Sequence, residues 1–403
     1  MKIKKLNISY VLLLSSLLIS LFSYEVHLFK FYKITQFLSS GFLVVHLLLY
    51  LKNEKAKHWL LRQNKQFLTL IVMFFLMVSN TVMGYIYYGY NTVISILNVI
   101  VLFFTCVELF YVIPNLILSD INFKKILKKT ILLFGFLLAT FSCLLHFNGN
   151  KLFGYTLENY RNASFYYDPN FCATMLGSMF IIISILEYKK ILKILLLCLF
   201  GFAIYLTGSR GALLSIIVAY CLYFLIFSKI KLHKKILLSI ILAISIYYVF
   251  QFLYNSNYFR LYQGDNARSL MIIYAVRMAF KSPIFGYGYQ AIRGALVDVT
   301  GLASTHNSYI DYLFGYGVPT FLLYFIFLSC IMLKSIKYIV GKKRKLIILA
   351  LFMLINANSI LYSFGGVGGV SYIFTVLLGV LNLYAKNFKN KKQANENGGL
   401  NED

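Results

Sequence analysis

Side chains that could carry chemistry are concentrated in the polar intervals between long apolar runs. The longest interval, Asp265 to Asp311, holds Arg268, Arg277 and Arg293 and ends in THNSYID, which places His306 among polar neighbours. A guanidinium offers a planar fork of donors to phosphates and carboxylates, and an imidazole titrates near neutral pH. These residue types predict a site that binds an anion and transfers a proton.

A second interval, 148–170, reads NGNKLFGYTLENYRNASFYYDPN and contains Arg161. At its end, Asp168 as N-cap and Pro169 at the first helical position predict the start of a helix. Asn170 then lies in the exposed first turn. Two interpretations stay open: a capped helix start alone, or a start whose unpaired N–H groups and Asn170 side chain face an anion.

A third interval is the short sequence LTGSRGALL, in which Gly208 and Gly211 flank Ser209 and Arg210. The turn is too short to form a loop in water between two spans, so it places one arginine at the membrane surface. A charge held at the headgroup level is costly unless it has a partner. We therefore expect Arg210 to bind an anionic ligand.

The interval after Asp265 predicts a helix that ends at Pro283 and the glycine-rich IFGYGY. Its apolar residues recur with helical spacing, so we expect it to lie along the membrane interface. Arg268 and Arg277 are nine residues apart and fall on opposite faces. Because the first helical turn also offers unpaired N–H donors, we assign the anion to Arg268 and a lipid-facing role to Arg277.

His306 lies between Thr305 and Asn307, just before an apolar run. A lone histidine is more often structural, but polar neighbours and the preceding arginines favour a general base that takes a proton from a hydroxyl. Asn307 is a candidate for binding the substrate. Asp311 is five residues away, off the helical face of His306, so the sequence assigns no certain carboxylate partner.

The composition around these intervals is that of a membrane protein. The 403 residues are 60% hydrophobic, and the apolar runs are continuous where a β-barrel would alternate. The predicted fold class is all-α: a polytopic bundle of about 12 transmembrane helices with an interfacial helix in the long outer loop. The spans are expected at 6–23, 34–51, 66–83, 92–113, 131–147, 170–187, 191–207, 211–228, 236–253, 308–333, 346–363 and 370–385.

The basic residues predict the orientation of these spans. The net charge of +26 is better explained by lysine clusters on the cytoplasmic side of the membrane than by nucleic-acid binding. We expect both termini to lie in the cytoplasm. Six of the eight arginines then face outward, against the orientation rule, which indicates recognition of an anion. We expect residues 1–385 to form one integral membrane domain, with outer catalytic loops at 148–170 and 254–307. Residues 386–403 are expected to form a disordered cytoplasmic tail.

Other classes of function receive less support from the chain. No nucleotide-binding glycine motif precedes a helix, and the cysteines lack metal-ligand spacing. The spans are almost free of ionisable groups, with His46 alone in the middle of one, which argues against an ion-coupled pump. We expect no metal, no other cofactor and no nucleic-acid partner.

The segments YYDPNFCATMLG, LTGSRGALL, DNAR with SPIFGYGY, and THNSYIDYLFGYGVPTFLLY resemble, in this order, the O-antigen ligase and polymerase family of membrane glycosyltransferases. The resemblance extends from Tyr155 to Tyr324. The first 150 residues resemble the family only as apolar spans. The ordered set is specific, whereas single pieces such as SRG are not.

The resemblance implies a metal-independent, inverting transfer on the outer face of the membrane. A glycan on polyprenyl pyrophosphate passes to an acceptor hydroxyl. By the family's pattern, Arg210 and Arg268 stabilise the leaving pyrophosphate, and His306 deprotonates the acceptor. Arg161, Arg293, Asn170 and Asn307 are further candidates for holding sugar or phosphate.

Polymerase and ligase use the same donor, so these motifs do not separate the two activities. The composition, rich in lysine, isoleucine, asparagine and tyrosine, is typical of an AT-rich genome. It favours a capsular or exopolysaccharide polymerase that works with a flippase and a chain-length regulator. The rivals are a ligase, a flippase for lipid-linked oligosaccharides, which should show two similar halves, and a scaffold of the same pathway.

Overall fold

The computed structural model describes residues 8–21, 32–61, 64–152, 155–156, 161–166, 168–254, 268–300 and 305–398. These ranges are almost entirely helical, which confirms the all-α class. One antiparallel pair of two-residue strands joins β1 (Lys151–Leu152) to β2 (Tyr155–Thr156). The α-helices are α1 (Ile8–Leu21), α2 (Tyr32–Leu51), α3 (Glu54–Leu61), α4 (Asn64–Met83), α5 (Val93–Val107), α6 (Ile113–Ser119), α7 (Ile121–Phe147), α8 (Pro169–Ile185), α9 (Lys190–Leu206), α10 (Arg210–Phe227), α11 (Leu232–Tyr254), α12 (Arg268–Lys281), α13 (Ile292–Thr300), α14 (Ser308–Tyr338), α15 (Leu346–Asn356) and α16 (Gly369–Gly398).

Within the described residues, seven helical stretches are long and apolar enough to cross a bilayer. This confirms a multi-pass membrane protein, while the count of about twelve spans stays a prediction. Two shorter apolar helices, Val11–Leu21 and Pro169–Ile185, accompany them. The seven stretches are Ile34–Leu51, Gln66–Tyr88, Val93–Ser119, Ile121–Phe147, Arg210–Phe227, Ser308–Tyr338 and Gly369–Asn390.

The helices form two compact units, where the sequence predicts a single domain. Unit 1 comprises Met1–Ile131, Leu270–Ile347 and Ile360–Asp403. Unit 2 comprises Leu132–Ser269 and Ile348–Ser359. The polar residues around His306 therefore belong to unit 1, and those around Arg210 belong to unit 2.

Unit 1 is held together by apolar side chains that pack between α1, α2, α16 and the helical turns after α5. Its buried cluster includes Leu13, Leu43, Leu109 and Tyr372. The hydroxyl of Tyr372 is bonded to the side chains of two serines of α2, Ser39 and Ser40. Such bonds satisfy polar groups that would otherwise be costly in an apolar interior.

Unit 2 packs α8 against α15 and α7 through glycines. A Cβ atom on Gly177 of α8 would lie 2.8 Å from Phe352 of α15, so the absence of a side chain allows the two helices to approach closely. Gly135 of α7 has the same relation to Met179, at 2.8 Å. These contacts place the start of α8, with Asn170, on a rigid support.

The predicted span at 346–363 is wrong in its second half, because α15 ends at Asn356. The residues from 357 to 368 are non-helical although many are apolar. Hydroxyl groups bind the freed backbone in place of helical carbonyls: Gly365 N–H donates to Thr375 Oγ1 over 2.9 Å, and Phe364 N–H to the Tyr324 hydroxyl over 3.3 Å. Irregular backbone at membrane depth requires such partners.

Two further predictions about the ends of the chain meet the structure here. The helix expected after Asp265 is present as α12, which begins at Arg268; residues 265–267 lie outside the described residues. Helix α16 continues to Gly398, into the tail whose composition predicts disorder. That tail contains Lys, Gln, Ala and Glu, which are good helix formers, and its first glycine is Gly398.

Candidate functional site

In unit 2, the start of α8 has the predicted capping structure. Asp168 adopts an extended backbone as N-cap, and its carboxylate accepts a hydrogen bond from Asn170 N–H over 2.7 Å. Pro169 occupies the first helical position, where its missing N–H costs nothing. The cap fixes the backbone of Asn170 and therefore the direction in which its side chain projects from α8.

The turn between α9 and α10 brings Ser209 to the same place. Gly208 takes the left-handed conformation, with φ at 58°, and its N–H donates to Tyr205 O over 3.0 Å. This is the usual glycine ending of a helix. Ser209 stands at the N-cap position of α10, but its hydroxyl donates to Asn170 Oδ1 over 3.1 Å and makes no cap bond.

Arg161 connects the two helix starts. Its Nε donates to Thr207 O and its Nη2 to Asn170 Oδ1, both over 2.9 Å. Since a guanidinium can only donate, the atom of Asn170 that faces Arg161 must be the amide oxygen. The amide nitrogen of Asn170 therefore points away from Arg161, and it has no acceptor among the described residues.

The segment that carries Arg161 is itself anchored on α7. Asn162 donates from its side-chain amide to Ser142 O over 2.6 Å, and its oxygen accepts from Ser164 N–H over 2.8 Å. The Ser164 hydroxyl donates to Leu138 O over 2.9 Å. All three side chains, Asn162, Ser164 and Ser142, are buried, so the segment forms part of the interior of unit 2.

Arg210 is the first residue of α10, directly after this network. A helix start has partial positive charge and N–H donors without helical acceptors. The Ser209 side chain makes no cap bond to these N–H groups. The α10 start, with Arg210 as its first residue, lies next to Asn170 through the Ser209 hydrogen bond, and donors of this kind suit an anion.

In unit 1, His306 lies in a strained turn before α14. Its backbone is left-handed, with φ at 53°, a conformation that is uncommon for residues other than glycine. Thr305 holds the turn on both sides: its hydroxyl donates to the carboxylate of Asp311 and accepts from Asn307 N–H over 3.2 Å. Asp311, which the sequence leaves without a role, thus fixes the residue next to His306.

Asn307 is the N-cap of α14. Its side-chain oxygen accepts from Tyr309 N–H over 3.0 Å and Ile310 N–H over 3.1 Å. The structure therefore gives the oxygen of this predicted substrate-binding residue a capping role. Ser308 follows and bridges to the non-helical segment after α15, donating to Ile360 O and accepting from Tyr362 N–H.

The glycine-rich loop after α12 supports the same half of α14 from another side. Helix α14 is interrupted at Gly317, whose φ is 70° and ψ 174°, and Pro319 follows. The interruption frees the carbonyls of Phe314 and Gly315. Tyr287 N–H donates to Phe314 O over 3.1 Å, and Gly288 N–H to Gly315 O over 2.7 Å.

Tyr287 anchors this loop through its ring as well as its backbone. The ring stacks on Phe314 with centroids 4.6 Å apart, and the hydroxyl donates to Met278 O over 3.1 Å. Burial, and next the nearby hydroxyl of Tyr88, raises the pKa of the Tyr287 hydroxyl. Tyr287 is therefore a neutral hydrogen-bond donor at physiological pH.

The remaining predicted residues lie on α12 and α13. Arg268 is the first residue of α12, and Arg293 is the second residue of α13. Arg277 is exposed on α12, while Met271, Ala275 and Ala279 are buried. This pattern agrees with the lipid-facing role predicted for Arg277.

The structure thus brings the predicted residues together in two groups. Arg161, Asn170 and the Arg210 turn form one group in unit 2, and His306 and Asn307 form another in unit 1. Sequence reasoning missed the side chains that hold these groups: Asn162, Ser164, Thr174, Asn356 and Ser359 in unit 2, and Asn80, Thr305 and Ser308 in unit 1. For Asn80, Thr174, Asn356 and Ser359, the available signal was a polar residue within an apolar run.

The comparisons with known proteins concern the middle of the chain. The family model Wzy_C, described as O-antigen ligase, matches residues 194–325. The matched region contains Arg210, Arg268, Arg293 and His306, whereas Arg161 and Asn170 precede it. No curated protein matches the chain. The match supports the resemblance over this region, and the chain is a multi-pass membrane protein whose residues 194–325 match the O-antigen ligase family model.

Proposed function

We propose that the chain is a polysaccharide polymerase that acts on the outer face of the cell membrane. It transfers a glycan from polyprenyl pyrophosphate to a hydroxyl of a second lipid-linked repeat unit. The observation that carries the proposal is Arg210 as the first residue of helix α10, inside the region that matches the O-antigen ligase family. Guanidinium and helix N–H donors together suit a pyrophosphate group.

The proposed reaction needs two kinds of help from the protein. The acceptor oxygen attacks the anomeric carbon of the donor sugar with inversion, and the bond from that carbon to the pyrophosphate oxygen breaks. Arg210 and Arg268 stabilise the negative charge that develops on the pyrophosphate. His306 takes the proton of the acceptor hydroxyl, and no metal takes part.

Arg161 has a supporting role in this proposal. Two of its nitrogens donate to Thr207 and Asn170, so it holds the α10 turn and orients the Asn170 amide toward the substrate. The Asn170 nitrogen then donates to a phosphate or sugar oxygen. Arg293 and Asn307 remain proposed contacts for the glycan.

The composition of the chain favours polymerase over ligase. A glycan-transfer assay in liposomes separates the two activities. Deleting the gene in the strain that encodes the chain makes its lipid-linked repeat units accumulate. These units, extracted and mixed with the purified protein in liposomes, should yield a ladder of glycans on a gel. Transfer of one unit to a different added acceptor, without a ladder, would replace the polymerase by a ligase.

The same assay tests the assigned residues and the flippase alternative. Arg210→Ala, Arg268→Ala and His306→Ala should each abolish the ladder while the purified protein keeps its thermal unfolding midpoint. Passage of labelled lipid-linked sugar across the liposome membrane without any glycan transfer would establish a flippase instead. Arg277→Ala serves as control, because the side chain is exposed on α12.

A further inference from the structure

Asn356, the last residue of α15, lies at the centre of a buried polar network in unit 2. Its side chain is 1% exposed. Its amide nitrogen donates to Thr174 Oγ1 over 2.7 Å, and its amide oxygen accepts from Ser359 Oγ over 3.1 Å. Each of these two partners lies beside one of the helix starts of the candidate site.

Thr174 links Asn356 to the start of α8. Its hydroxyl donates to the backbone oxygen of Asn170 over 2.8 Å and has its lone pairs left to accept the Asn356 amide. Because the hydroxyl proton is committed to Asn170, only a donor at position 356 fits there. The amide of Asn356 therefore sets the level at which the first turn of α8 sits.

Ser359 links Asn356 to the start of α10. A Cβ atom added to Gly211 would lie 2.6 Å from Ser359 Oγ and 2.8 Å from Ser359 Cβ, closer than real Cβ atoms approach. Asn356 Oδ1 is 4.0 Å from the same position. The backbone just after Arg210 thus rests directly on the turn that ends α15.

That turn is itself fixed by Asn356. Ser359 N–H donates to Asn356 O over 2.9 Å, and Ser359 Oγ approaches the same carbonyl at 2.9 Å. Asn358, by contrast, is exposed, and its side-chain amide donates to Ile355 O over 3.1 Å. Asn356 therefore connects the turn to Thr174 of α8, whereas the amide of Asn358 contacts Ile355, within the same turn.

We infer that Asn356 is a positioning residue, which through Thr174 and Ser359 fixes the starts of α8 and α10 and with them Asn170 and Arg210. The inference rests on the proposed function for its effect on catalysis. An ångström of displacement of a charge-stabilising group lowers a rate by about 100-fold. The turn that ends α15, where the sequence predicts continued helix, is the element that provides this support.

The first test replaces the donor while keeping its shape. Asn356→Asp places a carboxylate oxygen against the lone pairs of Thr174, so the start of α8 must shift. In the liposome assay we expect kcat to fall by about 100-fold with little change in KM for the donor. Thr174→Ser, which keeps the hydroxyl, should retain activity, and Thr174→Val should behave like Asn356→Asp.

The second test is a rescue that a general loss of folding would not produce. Gly211→Ala should lower kcat by about 100-fold because the new methyl group meets Ser359. The double variant Gly211→Ala with Ser359→Gly removes both clashing atoms and should recover the activity of Ser359→Gly alone. Asn358→Ala is the matched control in the same turn and should behave as wild type.

Hydrogen–deuterium exchange gives a readout that does not depend on activity. Asn356→Asp and Gly211→Ala should raise exchange in the first turns of α8 and α10, and the rescued double variant should restore protection. A Gly211→Ala enzyme that Ser359→Gly does not rescue, in activity and in exchange, overturns the inference. If the wild-type protein makes no glycan but the variants show the expected exchange pattern, the proposed function is wrong and the positioning role of Asn356 is still supported.

Discussion

Asn80 of α4 donates its side-chain amide to the backbone oxygen of Tyr316, 2.6 Å away, at the interruption of α14. The same nitrogen donates to Thr320 Oγ1 over 3.0 Å. Asn80 thus supplies a donor that the broken helix lacks, because the turn containing Gly317 and Pro319 withdraws helical N–H groups. This buried amide stabilises the half of α14 that begins beside His306.

Asn80→Asp should destabilise the protein. The variant places an acceptor against the Tyr316 carbonyl, and an unsatisfied buried polar group costs roughly 1–3 kcal/mol. The thermal unfolding midpoint of the purified protein in detergent measures the effect. Asn358→Asp makes the same chemical change at an exposed position and should leave the midpoint unchanged; equal midpoints for the two variants would contradict the role of Asn80.

Gly317→Ala should be more harmful than an ordinary helix substitution. Gly317 combines φ of 70° with ψ of 174°, a region open almost exclusively to glycine, and an added Cβ would lie 2.7 Å from the Ile284 backbone carbon. Such strain costs on the order of 1–3 kcal/mol before the clash is counted. Denaturation of the variant should show at least that loss.

Gly41→Ala is the matched control for Gly317→Ala. Gly41 lies within α2, and no atom lies within 4 Å of an added Cβ. Alanine is a better helix former than glycine, so stability should be unchanged or slightly higher. A loss at Gly41 equal to that at Gly317 would rule out the explanation from backbone geometry.

His306→Gly and His306→Ala should separate backbone strain from chemistry. Glycine relieves the left-handed backbone at 53°, so His306→Gly should be at least as stable as His306→Ala. Both variants lose the imidazole, and both should lose about 100- to 10,000-fold in glycan transfer. His306→Gln keeps a donor without a base, so activity near wild type in that variant would make His306 an orienting donor.

Asp168→Ala should weaken the start of α8. The carboxylate caps the helix through Asn170 N–H, and removing such a cap costs about 0.5–2 kcal/mol. Asp168→Ser keeps an oxygen acceptor and should recover most of the loss. Chemical denaturation of the three proteins measures the order; a Ser variant as weak as the Ala variant would show that the carboxylate acts other than as a cap.

His46 and Glu108 form a buried pair inside unit 1, with Nδ1 and Oε1 2.6 Å apart. The side chains are 1% and 0% exposed, so removal of one partner leaves the other isolated in an apolar interior. His46→Leu and Glu108→Leu should each cost roughly 3–5 kcal/mol, and the double variant should cost less than their sum. A double-mutant cycle with additive losses would deny the coupling.

The local parts of this structure could be predicted from sequence. Asp168 and Pro169 announce a helix start because capping depends on adjacent residues, and α12 follows from apolar spacing before Pro283. The family domain was recognisable because Arg210, Arg268 and His306 lie within ordered motifs. In each case the information is contained in a short stretch of chain.

The parts that escaped prediction depend on contacts between distant segments. Residues 357–368 contain Ile360, Leu361 and Phe364, and their apolar composition predicts helix. The hydrogen bonds that replace that helix come from Ser308 and Tyr324, 52 and 40 residues from their partners, and from Thr375 of the following helix. Composition alone does not reveal which distant hydroxyl meets which backbone group.

The pairing of Tyr287 and Gly288 with the carbonyls of α14 has the same origin. A glycine-rich loop predicts a helix end, but nothing in IFGYGY specifies its partner. The kink at Gly317 frees the carbonyls of Phe314 and Gly315, and the backbones approach closely because glycines of the loop meet glycines of α14. Such mutual fit becomes visible only in three dimensions.

The non-helical segment 357–368 also bears on how the chain enters the bilayer during synthesis. Helix α15 has 11 residues and is about 16 Å long, roughly half the hydrocarbon thickness. The backbone after it finds its donors and acceptors on α14 and α16. The α15–α16 hairpin is therefore a poor independent substrate for the insertion machinery, and its apex becomes desolvated only after α14 has been integrated.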